Sequence, residues 1–437
     1  MEPLFSAVIC GCNAGLFREA LHEVYIPRIQ RRNDSFAANV LGARGALLSV
    51  LACFFEHGRW GSLVEAGVEG QIFNAKDQLF ILMEAGYLIT AIRGMGAPEA
   101  GLCYERAESL ARSLKCSPSS QNCALVGQWR QSLNTGKLSA TLQIAKRLYA
   151  LAQEQHNPSL LIGACTALAC TLHFLGDFET SGQYAIRGVQ LWRSLGARSP
   201  PVVGVDNPAV NILCYKALFE AHSGEITSCR ATMAEAISLA EESKDVYSLA
   251  ITLSFATNLE VGERNFAEVE RYSSDLIELS TRHHFAHFLA VGSILSGWVR
   301  SASGDTAEGV LWIEQGIRDF RATGSVLSLP YYLSLQAEAL HLAGRAPEAL
   351  EAINEGETLA ERFEQRNSLS SLHRLRGVFL AAIGAGETQI EASFCEAIRI
   401  AREHKSIALE KRAETTYAEY RRQKSIGSGR RGFRLPL

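Results

Sequence analysis

A glycine recurs along this chain about every 41 residues, each time closing one apolar helical segment and opening another. It stands at Gly15, Gly58, Gly96, Gly136, Gly176, Gly224, Gly262, Gly304 and Gly344, then in the Gly384-Ala385-Gly386 cluster. The successive intervals are 43, 38, 40, 40, 48, 38, 42, 40 and about 40. A fixed period of this length predicts stacked helical hairpins, none of which buries its apolar face alone, so that neighbours share one continuous core. About ten such hairpins account for nearly the whole chain.

The residues around each glycine carry the same message. Gly176-Asp177-Phe178, Gly224-Glu225-Ile226, Gly262-Glu263-Arg264, Gly304-Asp305-Thr306 and Gly344-Arg345-Ala346 each pair a residue that tolerates positive φ with a short polar or small start to the next helix. After Gly176, apolar or small residues fall at Phe178, Ser181, Tyr184, Ala185, Gly188, Val189, Leu191 and Trp192, the spacing of one helical face. Ala, Leu and Glu are abundant and aromatics make up only 8%, so helix is favoured nearly everywhere and no sheet is expected.

Small residues recur at fixed offsets from the turns: Ser181, Cys229, Ala267, Gly309 and Ala349 five residues after, and Ala169, Ala217, Gly297, Ala337 and Gly377 seven before. These offsets resemble the tetratricopeptide repeat, most clearly from about residue 160 onward, although the period is longer than that repeat's usual one. The resemblance implies an all-α, tetratricopeptide-like α-α solenoid wound as a right-handed superhelix. Further segments look like the C-terminal helical-repeat region of large bacterial signal-transduction ATPases. They are Leu295-Ser296-Gly297-Trp298, Gly304 to Gly309, Pro330-Tyr331-Tyr332, Leu335 to Ala339, Leu372 to Gly377, and Glu391 to Ala401. In that family the repeats follow a nucleotide-hydrolysing core and a winged-helix or nucleotide-cyclase domain, whose motifs are not found here. The resemblance implies a sensor or assembly arm, from a truncated gene or a stand-alone homologue.

Punctuation divides the array. Gly196 to Pro208 holds three prolines, which explains the one interval of 48 and suggests a linker over 196–208 between N-terminal repeats at 1–195 and C-terminal repeats at 209–424. Residues 425–437 read as a basic, disordered tail with Arg430, Arg431 and Arg434. A net charge of −3 gives no global field for nucleic acid or membrane. Eleven cysteines, an odd number without a CxxC pair, read as buried apolar side chains in a reducing cytoplasm. The N-terminus lacks a basic leader, and no apolar run reaches spanning length.

Motifs of chemistry are absent. Asn134-Thr135-Gly136-Lys137 ends like a phosphate loop, yet Gln131 stands where the first glycine is needed and Leu138 where Ser or Thr is needed. His283 and His287 are four apart, too few ligands for zinc. The expectation is therefore a non-enzymatic scaffold with no cofactor or metal and no direct contact with nucleic acid. It binds a protein or peptide partner, such as an NTPase or effector protein, in a bacterial signalling or transcription-control system; the alternative is the sensor arm of a signal-transduction ATPase or nucleotide cyclase, with a small-molecule inducer in the superhelix cavity. If the first helix of each pair lines the concave side, counting back from the turns gives Arg130, His173, Asn211, Trp298, Tyr331, Glu338, His341 and Arg374 as the partner-facing set.

Overall fold

The computed structural model describes residues 1–31, 36–39, 42–65, 72–113, 118–196 and 207–425. The proline-rich linker, apart from its end residues, and the basic tail beyond Ser425 lie outside this set. The described chain is all-α apart from one isolated antiparallel bridge, Phe55 to Leu63.

The N-terminal segment is the least regular. α1 (Glu2–Asn13) turns at Gly15 into α2 (Phe17–Glu19), which widens into a π-helix, Ala20–Ile29, that contains Pro27. α3 (Phe36–Asn39) and α4 (Arg44–Leu51) follow, then two short 3₁₀ turns. Gly58 ends the second of these and does not separate paired helices, against the sequence expectation; the Phe55 bridge and the left-handed His57 occupy the place of a hairpin.

Eight hairpins then run in register: α5 (Ala75–Arg93) with α6 (Pro98–Ser113), α7 (Pro118–Asn134) with α8 (Leu138–Glu154), α9 (Pro158–Phe174) with α10 (Phe178–Ser194), and α11 (Pro208–His222) with α12 (Ile226–Glu242). α13 (Val246–Gly262) pairs with α14 (Phe266–His283), α15 (Ala286–Ala302) with α16 (Thr306–Ala322), α17 (Leu329–Leu342) with α18 (Ala346–Arg362), and α19 (Leu369–Ala382) with α20 (Glu387–Glu403). α21 (Ile407–Ser425) closes the array against α19 and α20.

The two helices of a hairpin differ in kind. First helices are apolar nearly all round; α9 buries twelve of its residues and is sandwiched between its own partner and the next hairpin. Second helices are amphipathic, and α14 buries only Val269, Ser273, Leu276 and Ser280. First helices therefore form the inner layer and second helices the outer one. Side-chain caps fix several starts: Asn74, Asn157, Asp177, Asn207 and Asp245 each accept backbone N–H bonds from the first turn of the helix they precede.

Gly136, Gly176, Gly224, Gly304, Gly344 and Gly384 take positive φ between paired helices, as their spacing predicts. At the α13–α14 turn the left-handed residue is Arg264, two past the expected Gly262. A second set of left-handed residues ends the outer helices, at His156, Gly196, Lys244, His284, Gly324, Glu364 and Lys405. These junctions keep nearly the same period as the glycine turns but hide it, because most are not glycine.

The superhelix is tight enough for one turn to touch the next. A Cβ placed on Gly136 would lie 2.4 Å from the Phe363 ring, and one on Gly176 would lie 2.7 Å from the His404 ring. Glycine turns of early hairpins thus nest against outer-helix junctions near residues 324, 363 and 404. Polar contacts tie the same seam: Val326 N donates to Asn134 O at 2.9 Å, Ser139 Oγ donates to Glu364, His222 Nδ1 sits 2.9 Å from Ser406 Oγ, and Lys405 pairs with Glu179.

A candidate ligand chamber

The seam borders a half-open cavity of about 350 Å³ at the centre of the superhelix. First helices from α7 to α19, with the closing helix α21, supply most of its wall. Apolar and aromatic groups dominate, with Trp129, Phe174, Tyr215, Phe255, Phe288, Phe320 and Tyr332 among them. The segment joining α16 to α17 forms one side, where Leu327 and Ser328 face the cavity. Gln365 clamps that segment by accepting from Ser328 N and donating to Val326 O.

The polar part of the wall is concentrated around one carboxylate. Glu338 on α17 accepts two hydrogen bonds from the Arg264 guanidinium, at 2.7 and 2.9 Å, and a third from Trp298 Nε1 at 2.9 Å. Arg264 also lies 5.0 Å from the Trp298 ring centroid. Burial by itself would push the Glu338 carboxyl up, but Arg264, Arg374 and the Trp298 N–H together hold it below the usual carboxylate range. Arg374 on α19 is 3% exposed and lies 3.8 Å from Glu338, and burial brings its guanidinium down to about 9. Arg412 on α21 donates to Gly262 O and is likewise lowered by burial, with Arg264 adding to the effect.

His173, His222 and His287 also line the cavity and are neutral. Burial lowers His173 and His287 to about 4. His222 is lowered well below the usual range by burial, then by His173 and His404, and stacks on Phe178 with ring centroids 3.7 Å apart. His283 does not join His287; it stacks on Phe285, and no group of metal-ligating side chains occurs among the described residues.

Of the eight residues singled out from the sequence, Arg130, His173, Asn211, Tyr331, Glu338 and Arg374 line this one cavity. Trp298 stands behind the wall as a donor to Glu338, and His341 packs on Phe379. The expected open face is instead a buried interior: Arg130, His173, Glu338 and Arg374 are all buried. Arg264 and Arg412, which complete the polar cluster, escaped sequence reading. Arg264 lies in a turn rather than on a first helix, and Arg412 belongs to the final helix, which follows the last turn from which residues were counted back. The left-handed Arg264 is the signal that places its side chain inward, and it is visible only in the backbone.

Comparison with known proteins gives the fold. The family model of Anaphase-promoting complex subunit 5 matches residues 210–263 and 375–420. An uncharacterised protein of Rhizobium meliloti (strain 1021) is 22% identical over 343 residues, covering 78% of this chain, which spans about a third of that relative's length. Among solved structures, a Rap protein complexed with Competence and Sporulation Factor superposes with a TM-score of 0.59 at 10% identity, over 84% of this chain and 96% of that one. A tetratricopeptide repeat protein from Parabacteroides merdae gives 0.37 at 13% identity, over 66% and 99%. The chain is an all-α, tetratricopeptide-like solenoid.

Proposed function

We propose that this chain is a non-enzymatic receptor arm that holds a small ligand inside its superhelix and presents its outer surface to a partner in a bacterial signalling or transcription-control system. The observation that carries this reading is the chamber. It is mostly apolar, falls in the size range of small-molecule sites, and includes polar groups from successive hairpins, with Arg264, Arg374 and Arg412 around Glu338. Because a ligand there touches hairpins on both sides of the seam, its binding energy favours the closed arrangement, which is the coupling a sensor needs.

A second reading, a scaffold for a protein or peptide partner, draws on the likeness in fold to the Rap protein, whose solved form holds Competence and Sporulation Factor. The buried positions of Glu338 and Arg374 favour the small ligand, since a folded partner cannot reach them with the seam closed.

Titration with N-phenylnaphthylamine, a neutral apolar fluorophore, tests the chamber. Saturation at one equivalent per chain is the expected result, lost in Ser371→Trp, where a large side chain replaces a small α19 residue that lines the cavity. No saturable binding, or equal binding by the filled variant, would reject it.

A further inference from the structure

The polar end of the chamber has more positive charge than its own carboxylate answers. Glu338 is fully engaged by Arg264 and Trp298, and Arg374 approaches it only to 3.8 Å. Nε and Nη1 of Arg374 are buried and have no hydrogen-bond partner in the structure. A buried guanidinium with idle N–H groups is costly unless something accepts from it. Arg412 lies within electrostatic reach, and the other acid acting on it, Glu263, is exposed on the far side rather than in the wall. Three guanidinium groups, Arg264, Arg374 and Arg412, therefore face one internal carboxylate.

We infer that the chamber takes an amphipathic organic acid, whose acid group is received by Arg374 with Arg412 beside it and whose apolar body lies against Phe255, Phe288 and Phe320. The inference rests on the chamber reading above and adds the charge and orientation of its occupant. Glu338 has a definite part in it: by taking two hydrogen bonds from Arg264 it leaves Nε and Nη1 of Arg374 without an acceptor and able to meet the ligand. A charge-assisted hydrogen bond in a water-poor site is among the strongest polar contacts available, so the acid group should dominate selectivity. The chamber's histidines stay neutral near pH 7 and do not compete for the anion.

The test compares two probes with one ring scaffold, anilinonaphthalene sulfonate, which carries an acid group, and N-phenylnaphthylamine, which does not. With the full chain, the sulfonate should bind at least about tenfold more tightly, a preference of the size expected for one charged hydrogen-bonded contact. Arg374→Gln should bring the ratio of the two affinities close to one, and Arg374→Lys, which keeps the charge, should retain part of it. Should circular dichroism show Arg374→Gln unfolded, the ratios in Arg374→Lys and Arg412→Gln decide, since both must fall. Equal affinity of the two probes for the unmodified chain overturns the acid inference while leaving the chamber intact. A preference that survives the arginine substitutions overturns the assignment to this cluster. Failure of both probes to bind rejects the chamber itself.

Discussion

Gly96 and Gly324 meet backbone to backbone across one turn of the superhelix. A Cβ on Gly96 would lie 2.3 Å from the Gly324 carbonyl, and one on Gly324 would lie 2.4 Å from Gly96 O. Neither position admits a side chain without moving main chain, so this contact sets how closely the two turns approach and how tightly the chamber shuts.

Gly96→Ala is therefore expected to lower stability by about 1–3 kcal/mol, because a single methyl forces backbone apart. Gly262→Ala is the control: it ends a helix with open space around it and ordinary φ, and should be neutral or stabilising by up to about 1 kcal/mol. Urea denaturation midpoints of the two variants measure the difference. Equal midpoints would mean the seam is not packed in solution.

α15 and α16 pack closely: a Cβ on Gly297 would lie 2.7 Å from Gly309 O and 2.8 Å from Ile313 Cγ1. Gly297→Leu should cost about 1–3 kcal/mol or more through overpacking, with Ala337→Leu behaving alike at a fully buried site. Leu311→Ala, at a side chain that is 62% exposed, should change the midpoint little. Thermal melts followed at the helical circular-dichroism band rank the three.

Glu338→Gln should be strongly destabilising, by about 3–5 kcal/mol, because it leaves the buried Arg374 and the half-buried Arg264 without their carboxylate. Counting along the sequence, which puts Tyr331, Glu338 and Arg374 on an accessible face, suggests instead that all three can be replaced at no cost to the melting temperature. The interior position of Glu338 reverses that expectation. A melting temperature within a degree or so of the parent would show that the pair is solvated.

Acid should destabilise the fold through its histidines. An unfolded histidine takes up a proton near pH 6.5, whereas His173 and His287 do so only at about 4 when folded. Between these values the unfolded chain binds more protons, so stability falls as pH falls, and below about 4 no further loss comes from these groups. His173 is surrounded by Phe174, Phe178, Tyr215, His222 and Asn367, none of which offers a compensating charge. Denaturation midpoints at pH 7 and pH 5 should differ, and His173→Phe should shrink the difference. An unchanged slope in that variant would remove His173 from the explanation.

The repeat was legible because every hairpin solves the same local problem. A glycine is the cheapest residue in the left-handed turn, and small residues let apolar helices touch, so both recur at a period that needs no knowledge of the rest of the chain. The inner faces of the first helices follow from the same counting, which is why six of the eight singled-out residues line one cavity. The second set of turns was not legible. His156, Lys244, His284, Glu364 and Lys405 take positive φ with side chains that carry no such signature, held there by the packing of the helices they join.

What the sequence determined is therefore the unit and its stacking: local turn chemistry and apolar periodicity act over a few tens of residues. What only the tertiary structure decided is the pitch. Contacts such as Gly136 with Phe363 and Asn134 with Val326 join residues about two hundred positions apart, and small rotations at each hairpin accumulate before they form. That accumulated rotation turns an open groove into a half-open chamber. It also brings Arg264, Arg374 and Arg412 around one carboxylate, because the inner sides of hairpins within that turn converge on the superhelix interior.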